Sequence, residues 1–245
     1  MDMSVPELAI VAKIGREMFP RADVLAWEDE RIDAAAGKVG VGAPAPAPIA
    51  ERREAWLHTK QELGSDELLR RLGRDTTIAD AMGRLAKISG RRRRSVTELF
   101  VPGGSAHQFT EWFTAITIAS DEAALLRACP DHFVLRMYNG TQQVLETNGG
   151  SPFAALFDID YDDVSSLTTP VDVQFPDRLD GVARGSDGTA IGGVRHQFRD
   201  TSDGVHARVL VEFPLTVPGS VVRGHRWHLA CEFSNWFEAA IADAA

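Results

Sequence analysis

Leu229, Phe233, Trp236, Phe237, Ala240 and Ile241 recur at steps of three and four, the spacing of a buried stripe on a helix. The pattern predicts one amphipathic helix over 226–245. His228 and Glu232 lie four apart in it, so they stack one turn above the other and project together. Upstream the same helical period predicts elements at 5–16, 21–35, 50–63 and 66–88, the last with Ala79, Met82, Leu85 and Ile88 on its apolar side. The Gly/Ala/Pro-rich 37–48 reads as a stiff, exposed connection. Further helices are expected at 106–119, where Ser105 is a candidate cap, and at 121–127, ended by Cys129-Pro130.

From Ser95 the period shortens to two. Strands are predicted at 95–102, 133–138, 142–147, 154–160, 171–175, 192–199 and 205–213. The DTSDG stretch marks a hairpin turn between the last two. In the simplest register His196, Phe198 and His206 share one face. Helices first, a run of antiparallel strands next and a long helix last suggest an α+β helix-grip arrangement, with the sheet wrapped around the final helix and a cavity between them. The chain divides into a helical segment, 1–90, and a helix-grip domain, 91–245.

Composition changes little in that picture. Of the 245 residues 44% are hydrophobic and 25% charged, as in ordinary globular proteins. A formal charge of −9 leaves no basic surplus for phosphate neutralisation, so no nucleic-acid partner is expected. The basic run 91–94 reads as a solvated strand start. No apolar run reaches membrane-spanning length and the first residues lack a signal-peptide pattern. Two cysteines, Cys129 and Cys231, make no disulfide framework, and a cytoplasmic location follows as the expectation. Cys231 reads as a small core residue and His58 as a surface histidine.

Three distant places offer metal ligands: His132 after the Cys-Pro turn, Glu146 at a strand end, and the pair His228 and Glu232. Two imidazoles and two carboxylates suit Zn²⁺, with other divalent ions also accommodated. Each has a plainer role open to it: turn histidine, turn cap, helical ion pair.

From Ser95 onward the chain resembles the phloretin hydrolase and 2,4-diacetylphloroglucinol hydrolase family, zinc-dependent enzymes that cleave a carbon–carbon bond. The stretches SVTELFVPGGSAHQFTEWF, LRACPDHF, QVLETNG and GGVRHQFRDTSDG and the closing His-x-x-x-Glu helix are similar to that family's motifs and follow its order. The resemblance implies that His132, Glu146, His228 and Glu232 hold Zn²⁺ in a Bet v 1-like domain. It also implies that His196 and His206 are catalytic cavity histidines. The segment DEAALLRA departs from the family by lacking its tyrosine, and Ala115-Ile116 stand where the family has Trp-His.

The implied activity is retro-Claisen hydrolysis of an acylated phenolic or cyclic β-diketone, a small hydrophobic ketone being the partner. A cyclase, isomerase or lyase of a polyketide-like pathway and a non-catalytic binder of hydrophobic ligands stay open as alternatives, as does a homodimer.

Overall fold

The computed structural model describes residues 7–84 and 90–244. One antiparallel sheet of nine strands dominates it, in the order β2-β1-β3-β9-β8-β7-β6-β5-β4. The chain begins with a hairpin, β1 (Val11–Ile14) and β2 (Glu17–Pro20), followed by α1 (Arg21–Val39) and α2 (Ile49–Arg84). Next come β3 (Arg92–Pro102) and the short helices α3 (Ala106–Ile118) and α4 (Glu122–Arg127). Six strands then run in succession: β4 (His132–Tyr138), β5 (Thr141–Glu146), β6 (Ala155–Asp160), β7 (Asp177–Arg184), β8 (Ala190–Thr201) and β9 (Gly204–Pro214). The last element is α5 (Gly219–Asp243), laid against β3, α1 and α3. The curved sheet and this terminal helix make a mixed α+β architecture.

The predicted helix at 5–16 is a correction: its described part is a turn and a strand. Ile10 and Ala12 are buried while Val11 and Lys13 are half-exposed, an alternation of period two. Gly15, at φ 67, makes the turn into β2. β1 pairs with β3, Ala12 opposite Leu99, so the sheet itself crosses residue 90. The second predicted helix is α1. The next two are halves of α2, which breaks at Gly64 (φ 75, ψ 157). Leu85 and Ile88 lie outside the described residues.

Residues 171–175 form no strand. Pro170 and Pro176 bracket them, each lacking an N–H for a ladder, and Val173 is exposed. The strand in that region is β7, where Leu179, Val182 and Ala183 are buried among charged neighbours. Its Gly181 lies against β6, where an added Cβ would sit 2.8 Å from Ile159 Cγ2. Ser105 precedes α3 without a side-chain cap; Asp200 Oδ1 instead accepts the Ala106 N–H at 2.7 Å.

Phe109, Phe113, Phe233, Trp236 and Phe237 fill the space between sheet, α3 and α5. Phe109 stacks on Phe237 with centroids 3.9 Å apart, and Phe113 meets Trp236 edge-on at 5.0 Å. Such pairs add about 0.5–1.5 kcal/mol beyond their buried area. A second core joins Ile32, Trp56 and Leu68 of α1 and α2 to Phe133, Val134 and Leu145 of β4 and β5. Buried polar contacts fasten α1 to α5: Arg21 pairs with Glu238 at 2.7 Å, and Asn235 donates to Glu28 at 3.2 Å. Among the described residues no helix is long and apolar enough to cross a membrane.

Candidate metal centre and its cavity

Two structural devices bring four side chains to one point. The first is the β4–β5 hairpin, whose Asn139-Gly140 turn has positive φ at both residues (51 and 86), as a two-residue hairpin of this kind requires. Its register sets His132 directly opposite Glu146, with a bulge immediately after His132. The second is α5, where His228 and Glu232 sit one turn apart.

All four side chains are buried. His132 Nε2 lies 3.0 Å from His228 Nε2 and 3.0 Å from Glu232 Oε2. Glu146 Oε2 stands 3.8 Å from His132 Nε2 and 3.6 Å from His228 Nε2, and Glu232 Oε2 is 3.5 Å from His228 Nε2. Ligands on bonds of about 2.0–2.1 Å in a tetrahedron stand roughly 3.3–3.5 Å apart, so these donors enclose a seat of the right size for a divalent cation.

The nitrogens facing away from the focus support the same orientation. His132 Nδ1 lies 3.2 Å from the Leu125 carbonyl and donates to it, which leaves the Nε2 lone pair facing inward. His228 Nδ1 faces the Cys129 thiol at 3.5 Å and the Asp131 carboxylate at 4.0 Å. Asp131 is itself fixed, accepting from Arg31 at 2.5 and 3.0 Å and from the Thr147 hydroxyl. Thus α1, from the N-terminal segment, braces a carboxylate behind one ring of the cluster.

The charges in the cluster are strongly perturbed. Burial drives the His228 imidazolium down, but Glu146 and Glu232 outweigh it and raise the group to about 9. Burial alone would raise Glu232; His228 and His132 overcome it and hold the carboxyl below its usual range. Glu146 goes the other way, raised chiefly by burial.

Two further groups approach the cluster. A donor nitrogen of His225 lies within 4.8 Å of ligand atoms of Glu146 and His228. Its ring stacks on His228 at 5.2 Å, its Nδ1 lies 3.0 Å from Ser95 Oγ, and burial holds it well below the usual imidazole range. The signal for it was present in the sequence as an i, i+3, i+7 series, His225, His228, Glu232, on one helical face. Cys129 also falls within 4.8 Å of donor atoms of His132 and His228. It contacts the outward nitrogen of His228, and burial pushes its thiol well above the ordinary value, so it stands behind the ring as a protonated neighbour. Cys231 is buried with its Sγ 3.5 Å from the Ala128 carbonyl, a core residue as expected.

The cluster forms one end of a cavity of about 340 Å³ between sheet and α5. Its walls are mostly apolar, with Phe157, Ile159, Phe233 and Trp236 among them. Tyr161 also lines it, its hydroxyl donating to Gln142 at 2.9 Å. No periodic pattern pointed to that tyrosine, because it follows β6 in an irregular loop.

The two remaining sequence-derived residues part company. His196 lines the cavity and packs on Phe233 at 4.7 Å. Its Nδ1 accepts the Leu210 backbone N–H at 3.2 Å, which puts its proton on Nε2; burial depresses the group to about 4, so it is neutral. His206 is the correction. The hairpin pairs Thr201 with Gly204 and Arg199 with His206, so His206 shares a face with Arg199 while His196 and Phe198 take the other. There His206 stacks on Phe100, bonds Glu98 at 2.8 Å, and is covered by Phe175. It does not line the cavity.

No family model matches this chain, and no curated protein matches it.

Proposed function

We propose that this chain is a zinc-dependent hydrolase that cleaves a carbon–carbon bond in an acylated phenolic or cyclic β-diketone, on a helix-grip (Bet v 1-like) fold. The observation that carries this reading is the focus of His132, Glu146, His228 and Glu232 at the buried end of a mostly apolar cavity. A terminal helix laid across a curved sheet, with the cavity between them, supports the helix-grip assignment. The motif-level resemblance to the phloretin hydrolase family supports the substrate class.

The four side chains hold the cation. When bound, it supplies Lewis acidity toward a ketone or a water. In the overall reaction water gives its hydroxyl to the acyl carbon. The bond from acyl to ring carbon breaks with its electron pair on the ring, and the second proton of water ends on that ring carbon. The products are a carboxylic acid and the deacylated ring. His196, with its proton on Nε2, donates to the ring oxygen on which enolate charge collects, a bond that strengthens as the charge grows. Phe233 and Trp236 cover the ring faces and exclude bulk water.

Elemental analysis and product analysis test the proposal together. The purified chain is expected to carry one divalent cation per chain and to release a carboxylic acid from an acylphloroglucinol. A product of unchanged mass replaces hydrolysis by rearrangement; a chain that binds no divalent cation sinks the metal reading altogether.

A further inference from the structure

The cavity has a direction. His132 and His228 are each 1% exposed, whereas Met82, which lines the same cavity, is 42% exposed. The donor cluster therefore sits at a closed part of the cavity, and the rim includes the apolar Met82.

The N-terminal segment contributes Met82 to that rim. The last turns of α2 lie on the β7–β8 connection, where Asp80 accepts from Ser186 Oγ at 2.9 Å and pairs with Arg84 at 2.7 Å. Gly83 is close enough to β8 that an added Cβ would sit 3.7 Å from Ile191 Cγ2. Met82, Ile191, Phe153 and Val217 all line the cavity.

No lysine or arginine is among the described lining residues, so outside the donor cluster a charge carried along the cavity wall would lose its hydration without a counter-charge. Outside the donor cluster the one carboxylate among the described lining residues is Glu212, already bonded to the N–H and hydroxyl groups of Thr168 and Thr169. Along that wall a cationic group finds no free carboxylate among the described residues. A small polar head seated at the cluster would leave the apolar rim facing water.

We infer that the ligand is an uncharged ketone bearing an apolar chain that runs from the cluster to the rim, and that Met82 and Ile191 set the length of that chain. This rests on the proposed function only in putting the ketone end at the cluster.

The test is a binding titration of the full chain stripped of metal, read by quenching of tryptophan fluorescence, since Trp236 lines the cavity. Acetophenone, hexanophenone and decanophenone are the probes, with a decanophenone carrying a carboxylate midway along its chain as the charged comparison. Each methylene taken out of water is worth about fourfold in affinity. Decanophenone is expected to bind at least about 30-fold more tightly than acetophenone, and the carboxylate to lose about tenfold or more. Ile191→Trp shortens the cavity and is expected to weaken decanophenone about tenfold while moving acetophenone less than about twofold. Met82→Glu, a rim change that leaves the core untouched, should show the same selectivity. Affinity flat across the three ketones, or variants that weaken all three alike, would overturn the inference. Because no metal is present and no turnover is read, failure of the hydrolase reading shows separately, as the absence of acid release from the metal-loaded chain.

Discussion

Gly149 and Gly224 touch backbone to backbone. A Cβ on Gly224 would lie 2.3 Å from the Gly149 carbonyl oxygen, and one on Gly149 would lie 2.3 Å from the Gly224 carbonyl carbon. The loop after Glu146 thereby rests directly on α5, one turn before His228. This contact is what lets a hairpin ligand and a helix ligand meet. Gly224→Ala is expected to push loop and helix apart, costing about 1–3 kcal/mol of stability and about 10–100-fold in metal affinity. Thermal melts and chelator competition measure the two effects. Unchanged metal affinity in a folded variant would show that the contact does not set the ligand spacing.

Replacing the ligands one at a time gives a sharper pattern. His228→Ala and His132→Ala are each expected to abolish stoichiometric metal binding, whereas Cys129→Ser, standing behind the His228 ring, should keep it. Metal content after dialysis decides the matter. Loss of the cation in Cys129→Ser with retention in His132→Ala would exchange their roles.

The two sequence-derived catalytic histidines are predicted to differ. His196→Ala should lower kcat on an acyl phenol by about 10²–10³-fold with metal content intact, because it removes a charge-stabilising donor. His206→Ala removes contacts with Glu98, Phe100, Phe175 and Arg199 on the far face and none in the cavity, so its kcat should stay within about twofold of the parent. Steady-state kinetics on the two variants separate them; equal losses would put His206 back in the chemistry.

Glu212 gives the fold an acid limit. Burial would raise its carboxyl, but the hydroxyl and backbone N–H groups of Thr169 and Thr168 hold it below the ordinary value. A carboxyl lowered on folding contributes stability that is complete above its unfolded value, near 4.3, and is lost as pH falls toward the folded one. Melting temperatures of the parent should therefore drop in that acid window, and Glu212→Gln should be less stable at pH 7 but flatter below about pH 4. Parallel melting curves of the two proteins across acid pH would contradict the assignment.

Lys60 is buried and donates to the Leu126, Cys129 and His132 carbonyls at 2.7, 3.3 and 3.0 Å. Lys60→Met leaves three buried carbonyls without that donor, and a loss of about 2–3 kcal/mol is expected by denaturant titration. The same variant should bind metal more weakly, since the turn it holds delivers His132.

The parts of this architecture legible in the sequence were those written in local spacing. The four-residue step from His228 to Glu232 fixes their common face whatever packs around them, and DTSDG announced the β8–β9 hairpin. What escaped depended on distant partners. Nothing in residues 11–20 says that the edge of β3 is free to receive them, so a short amphipathic stretch read as a helix. β7 hid behind its charges and Gly181, a residue wanted there for closeness to β6. The face of His206 turned on one residue of register. Because Arg199, not Phe198, stands opposite His206, the parity of the whole strand inverts. The convergence of hairpin and helix on one point was carried in the sequence only by residue types, two histidines and two glutamates, that also make ordinary surfaces.

The bond from the Leu210 N–H to His196 Nδ1 has a further consequence for how this position can change over generations. The β8–β9 partners run from Val194↔Val211 to Gln197↔Arg208, and at the intervening step a side chain accepts a strand N–H. An aliphatic replacement at 196 would strip a buried amide of its acceptor as well as the cavity of its donor, a combined penalty on folding and on chemistry. Drift at this site is thus confined to residues with an acceptor in reach of Leu210. A lineage exploring new substrates has freer ground at Met82 and Ile191, where no backbone group depends on the side chain.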